Sequence, residues 1–326
     1  MLKQVLILTA VVGCVAPAFA DATWYTNLDE AKRVAVEQKK GLLIEFTGSD
    51  WCPPCKMLKK EVMSKPEFLT AAEKDFVLVE LDFPRAKELP EAEKKANESA
   101  AQLYKVEGFP TVIFADSEGR PFGSFVGGRD LKSVMDDMSA ALEKQKLRDA
   151  AFAKAKDATN NTEKAQSFFD ALKNVPEEYV NAFYKGVKDE IITLDPEDKT
   201  GMKAADTYKN TLEEQKAELF KTISSKATSL NTPEAAVTFL KDYLKKDGLL
   251  PETKQELMVQ LANASIAATG DIDGALVILA DAEKLKPDSK QAAQCKMLSG
   301  MISKNKDRIL ENIKKQKEAQ QQKAAE

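Results

Sequence analysis

The chain has 326 residues, 48 basic and 52 acidic side chains, a formal net charge of −4 and no histidine. The missing histidine excludes a Cys-His nucleophile pair, a histidine metal site and the Cys-x-x-Cys-His attachment of c-type haem, for which Lys56 stands in the last position. The acidic excess lies in residues 21–145 and the remainder is balanced, so neither half carries the basic surface that nucleic-acid binding requires.

In chain order, Lys3 is the only charge before an apolar stretch from Val5 to Val15, Pro17 breaks that stretch, and Ala18-Phe19-Ala20 offers a small-x-small cleavage site. Residues 1–20 therefore read as a secretory signal peptide. The alternative is lipoprotein export, in which Val11-Val12-Gly13-Cys14 is the processing site and Cys14 carries the lipid. Nowhere else does the chain approach the roughly 20 apolar residues of a membrane span. Removal of the leader leaves Cys52, Cys55 and Cys295, an odd number that argues against a disulfide-stapled scaffold. No four-ligand zinc set can be assembled from one close pair of cysteines, and no metal or cofactor is expected.

Leu28 to Lys40 has the spacing of an amphipathic helix stopped by Gly41, and Leu42 to Phe46 that of a buried strand. Next comes Trp51-Cys52-Pro53-Pro54-Cys55-Lys56, opening a helical pattern that runs from Cys52 to Val62, with two prolines in the first turn where their missing N–H groups cost little. Two cysteines separated by two residues can close a small reversible disulfide, and the one at the helix N-terminus is the reactive one. That chemistry is thiol–disulfide exchange. The pattern continues with a strand over Phe76 to Phe83, a helix over Glu91 to Lys105, a strand over Thr111 to Ala115, a turn at Ser117-Glu118-Gly119-Arg120, a strand over Phe122 to Val126, and a helix from Asp130 onward after Gly127-Gly128.

Composition changes near residue 145 to Ala, Lys, Glu and Gln with few β-branched runs. Ala165-Phe168-Phe169-Leu172, Ala236-Phe239-Leu240-Tyr243 and Ala275-Ile278-Leu279-Ala282 each follow the i, i+3, i+4, i+7 period of a helix with one buried face. Thr232-Pro233, Asp247-Gly248, Pro251, Gly270-Asp271 and Pro287 punctuate these helices. The sequence thus predicts an all-α region of helical hairpins over 146–306, with Cys295 a small core residue, and a polar tail, helical or disordered, over 307–326. An α/β domain at 21–145 precedes it.

Residues 24–145 resemble the thioredoxin-fold family, through Trp51-Cys52-Pro53-Pro54-Cys55-Lys56 and through Tyr104-Lys105-Val106-Glu107-Gly108-Phe109-Pro110-Thr111. Thr47-Gly48-Ser49-Asp50-Trp51 and Leu81-Asp82-Phe83-Pro84-Arg85 are most similar to exported bacterial members, and Gly274 to Pro287 is similar to the second helix of a tetratricopeptide repeat. The resemblance implies that Cys52 is an exposed nucleophile, that Cys55 resolves the mixed disulfide, and that Glu45, on the strand before the motif, exchanges a proton with Cys55. Glu45 is longer than the family's usual aspartate and stands one residue further from Cys52. The resemblance also implies a cis peptide bond at Pro110 facing the disulfide, with Trp51 and Phe109 framing a groove for protein substrates. Pro53 and Pro54 lack N–H groups that could stabilise the Cys52 thiolate, which implies a reductase or mild isomerase rather than a strong oxidant. The partners implied are protein thiols or disulfides and a redox partner in the cell envelope, with the protein periplasmic or secreted. The competing reading is a protein-binding scaffold that uses the helical region, with the α/β domain as a peptide-binding module.

Overall fold

The computed structural model of the chain describes residues 23–226 and 229–325; the proposed leader and Cys14 lie outside the described residues. Two compact units are present, the first ending at Met202 and the second beginning at Lys203.

The first unit is built on a five-stranded sheet of β1 (Trp24–Tyr25), β2 (Gly41–Thr47), β3 (Phe76–Asp82), β4 (Thr111–Ala115) and β5 (Pro121–Val126), ordered β1-β3-β2-β4-β5. β2 runs parallel to β3 and antiparallel to β4, and β4 is antiparallel to β5. Because side chains alternate along a strand, Leu42, Ile44 and Phe46 enter one core together with Val77, Val79, Leu81, Ile113 and Ala115. Leu43, Leu78, Val112 and Phe114 face the other. Both sheet faces are covered, which is why β2 reads as an unbroken apolar run apart from Glu45.

Helices α1 (Leu28–Gln38), α2 (Pro53–Leu58), α4 (Glu91–Leu103) and α5 (Leu131–Asp157) fall where the periodicity predicts them. The expected helix over Cys52 to Val62 is instead α2 followed by a π-helical turn, Lys59–Met63. A further helix, α3 (Pro66–Asp75), and the two-residue strand β1 had no counterpart in the sequence reading. α3 starts on Pro66 at its first turn and buries Phe68 and Ala72, too short an apolar stripe to stand out by period alone.

The compositional shift at residue 145 falls inside α5, and the first unit continues through α6 (Asn161–Leu172), α7 (Glu177–Phe183) and α8 (Lys185–Leu194). The physical reason is packing. Ala165, Leu172, Tyr179, Tyr184 and Ile191 join the core on the α1 and α4 side of the sheet, and Phe183 meets Tyr104 at a ring-centroid distance of 5.0 Å. Each fully buried side chain of this size is worth roughly 1.5–3 kcal/mol. Arg148 of α5 is 2% exposed and its guanidinium meets the Tyr184 hydroxyl at 2.6 Å and the Asp116 carboxylate at 3.2 Å. Arg148 thereby ties α5 to Asp116, just after β4, and to Tyr184, just before α8.

The second unit contains α9 (Met202–Ser225), α10 (Pro233–Tyr243), α11 (Pro251–Thr269), α12 (Ile272–Leu285), α13 (Lys290–Lys304) and α14 (Lys306–Ala325). Consecutive helices from α10 to α13 pack on one another. Their punctuation follows the sequence: Thr232 accepts from the Ala235 N–H at 3.2 Å, Gly270 ends α11 at a φ of 78°, and Asp271 caps α12 by accepting from the Gly274 N–H at 2.8 Å. Cys295 is fully buried among Ala275, Leu279 and Ile302, and burial pushes its thiol pKa up. Among the described residues, no helix is long and apolar enough to cross a membrane.

Candidate active site

Cys52 is the N-cap of α2, in extended conformation, and Pro53 and Pro54 occupy the first turn. Its Sγ is bonded to Cys55 Sγ, with the Cα atoms 5.3 Å apart, and accepts the Cys55 backbone N–H at 3.3 Å. With prolines at the two intervening positions, Cys55 supplies the first backbone donor of the helix that can reach the sulfur. In this oxidised form Cys52 is only 2% exposed and Cys55 1%. The open Cys52 expected of a nucleophile is therefore not what the disulfide-bonded protein presents, because the sulfur is tied back into the helix start.

Around the disulfide, two segments distant in sequence are clamped together. The Asp82 carboxylate accepts the Ser49 N–H at 2.9 Å and the Ser49 hydroxyl at 2.6 Å. Asp50 in turn accepts the backbone N–H groups of Arg85 and Ala86, at 2.9 Å and 2.6 Å to one oxygen, and these bonds hold its pKa below the usual carboxylate range. Trp51 donates its indole N–H to the Phe83 carbonyl at 2.8 Å, stacks under the Arg85 guanidinium at 3.9 Å and meets Phe109 edge-on at 5.7 Å. A Cβ on Gly48 would lie 2.5 Å from the Trp51 ring, so glycine is required for the indole to lie flat there.

The Phe109–Pro110 peptide bond is cis. The Pro110 carbonyl accepts the N–H of Gly127, a residue at φ 88°, and the next residue, Gly128, lies close against Pro54. Gly127 and Gly128 thus link the Pro110 turn to the start of α2. Among the described residues, nothing takes the Phe109 backbone N–H or carbonyl in a hydrogen bond.

Glu45 lies on β2 in the same face as Leu43, toward the core that Leu58 of α2 and Val62 enter. It is 1% exposed, and neither carboxylate oxygen has a hydrogen-bond partner. Burial, and then the charge of Glu80 beside it, push its pKa up to about 7 from 4.5, against a smaller opposing effect of Lys59. An unpaired buried acid of this kind is costly and poised to hold a proton near neutrality.

The sequence reading named Cys52, Cys55, Glu45, Trp51, Pro53, Pro54, Phe109 and Pro110. Trp51 and Phe109 are in ring contact, the two cysteines are bonded, and Pro54 connects to Pro110 through Gly127 and Gly128. Asp50, Asp82 and Arg85 were missed as site residues although their segments stood out as family wording. Lys59 and Glu80 left no sequence signal, because each looks like an ordinary polar residue within its element.

Residues 23–117 match the profile of a thioredoxin-like family. The N-terminal domain is thioredoxin-like. Among proteins similar to the chain, the disulfide bond reductase DsbH of Chlamydia pneumoniae is 34% identical over 103 residues, which cover 32% of this chain and 61% of DsbH. The thioredoxin-related protein DsbJ of the same organism is 30% identical over 132 residues, 40% of this chain and 38% of DsbJ. The chain thus spans less than two thirds of the length of either relative. A solved structure of a DsbH oxidoreductase covers 43% of this chain and 94% of its own at 28% identity and a TM-score of 0.35.

Proposed function

We propose that the protein is an exported thiol–disulfide oxidoreductase that exchanges disulfides with protein substrates through Cys52 and Cys55. The observation that carries this reading is the bonded cysteine pair at the start of α2, with a buried, unpaired acid, Glu45, on the sheet face whose core Leu58 of α2 enters. A scaffold gains nothing from an unpaired buried acid of this kind, whose burial costs stability.

In the reducing direction the Cys52 thiolate attacks a substrate disulfide, forming a mixed disulfide and releasing one substrate thiolate, which takes a proton from water. Glu45 then accepts the proton of the Cys55 thiol, and the Cys55 thiolate attacks Cys52 Sγ. The second substrate thiolate leaves, and the internal disulfide closes. Two electrons pass from the protein to the substrate, and a redox partner in the cell envelope returns them. An extended substrate segment pairs with the backbone N–H and carbonyl of Phe109 in the manner of an added strand, over the apolar frame of Trp51 and Phe109.

The direction follows from the donors at Cys52. With Pro53 and Pro54 in the first turn, the thiolate gains less than it would from a full set of helix-start N–H groups, so the disulfide is mildly reducing. The name of one relative, a disulfide bond reductase, agrees. Export rests on the leader-like residues 1–20 alone.

The test is turbidimetric reduction of insulin by the full chain with dithiothreitol as electron source, beside Cys52→Ser. Acceleration lost in Cys52→Ser supports the proposal; equal rates of the two proteins refute it. A Cys52 pKa well below about 5, in the range of the strongest oxidants, would reverse the assigned direction.

A further inference from the structure

The register of the central strands sets two acids side by side. Glu45 of β2 is paired with Glu80 of β3 across a parallel ladder, so their side chains leave the same face of the sheet about 4.8 Å apart at the backbone. That face is the one covered by α2, the π-helical turn and α5. Lys59, the first residue of the π-helical turn, forms an ion pair with Glu80 and sits over the Trp24 ring at 4.4 Å. The Glu80 side chain is 24% exposed and that of Lys59 43%, whereas Glu45 is sealed. The other group of β3 facing this cluster is Asp82, which is engaged with Ser49. On the opposite flank β4 presents Val112 to Glu45, which is apolar. In the exchange reaction proposed above, Cys55 of α2 is the sulfur whose proton Glu45 accepts.

We propose that Glu80 and Lys59 are positioning residues for the exchange reaction, acting with opposite sign on the proton that Glu45 holds for Cys55. This rests on the oxidoreductase reading above. The Glu80 carboxylate, held in place by the Lys59 ammonium, repels a second negative charge on Glu45 and so keeps that carboxyl protonated to higher pH. Lys59 offsets part of this by its own positive charge and prevents Glu80 from turning away into solvent. The pair carries charge on the edge of the site, where water can reach it, and leaves the proton on the dry member.

The two partners predict displacements in opposite directions, a signature that simple loosening of the fold does not give. In the full chain, Glu80→Gln removes the repulsion and frees Lys59 to face Glu45, moving the Glu45 midpoint down. Lys59→Met removes the attraction and moves it up. Each displacement should be on the order of one pH unit. The measurement is the carboxyl ¹³C resonance of Glu45 against pH in the oxidised protein, assigned with Glu45→Gln, together with the pH profile of insulin reduction by the same variants. Both substitutions keep the size of the side chain, and the amide spectrum reports whether each protein is folded.

Opposite displacements of the resonance, followed by the reduction profile, are the expected result. Midpoints that stay put or move the same way in both folded variants overturn the inference and leave exchange at Cys52 and Cys55 intact. Opposite displacements without any change in the reduction profile overturn it too, by uncoupling Glu45 from the reaction. Failure of the exchange reading itself has a separate mark, wild-type protein no faster than Cys52→Ser.

Discussion

Replacing Glu45 with Gln should change how the stability of the first unit depends on pH, by an amount that follows from the site. The carboxyl is 1% exposed, without hydrogen-bond partners, and held at about 7 in the folded protein against 4.5 for the free side chain. A folded-state value above the unfolded one means that the stability contribution is fully present below about 4.5 and is lost as pH rises through about 7. At roughly 1.4 kcal/mol per pH unit, that interval corresponds to about 3 kcal/mol. Gln does not titrate. The cost of burying its amide is the same at every pH and cancels when the two profiles are compared. Urea unfolding of the oxidised proteins, followed by tryptophan fluorescence, reads the first unit alone, since the two tryptophans are Trp24 and Trp51. Between about pH 4 and about pH 8, wild type should lose about 3 kcal/mol relative to Glu45→Gln. Parallel profiles, or a variant that weakens relative to wild type as pH rises, would refute the reasoning.

Other substitutions probe the remaining parts of the account. Arg148→Met should cost about 1–3 kcal/mol, because it takes a buried guanidinium away from the Tyr184 hydroxyl and from Asp116, which keeps Arg120 as its cation; a loss below about 0.5 kcal/mol in the same unfolding assay would contradict the role given to Arg148. Asp50→Asn should loosen the Phe83 to Lys87 segment, read as faster proteolysis there. Because the Asp50 pKa is depressed, wild type should approach the variant's behaviour as pH falls through the carboxylate range, and a difference that grows on acidification would count against the clamp. Pro54→Ala restores a helix-start N–H near the Cys52 sulfur and should lower the Cys52 thiol pKa by about one pH unit, with a disulfide about 30 mV more oxidising; alkylation kinetics against pH and equilibration with glutathione measure both, and an unchanged pKa would remove the argument for redox direction.

Much of the site was legible in the sequence because its chemistry depends on local spacing. Cys52 and Cys55 lie within one helical turn, and proline at the first turn positions marks the helix start, so residue order alone locates them. The apolar runs Leu42 to Phe46 and Phe76 to Phe83 likewise mark the central strands, and Gly270 with Asp271 marks a helix boundary in the second unit. What escaped depends on residues brought together by the sheet. Nothing local in Glu80 or Lys59 says that one neighbours Glu45 across the ladder and the other reaches over from a π-helical turn. The partnership of Asp50 with Arg85 spans two loops, and neither charge is unusual by itself. Near residue 145 composition misdirected the reading of the first unit for a similar reason. Helices α6 to α8 have the Ala- and Lys-rich make-up of the second unit, yet Tyr179, Phe183 and Tyr184 pack against the sheet domain's core.

The central claim is that Cys52 attacks protein disulfides and Cys55 releases the product. Trapping tests it most directly: the full chain with Cys55→Ser is incubated with extract of the cell envelope and run on a non-reducing gel, beside Cys52→Ser. Without Cys55 the Cys52 mixed disulfide has no internal route to resolution. The account predicts discrete, thiol-sensitive adducts with Cys55→Ser and their absence with Cys52→Ser. No adducts from a Cys52 that alkylating reagents can reach, or the same adducts from both proteins, would contradict it.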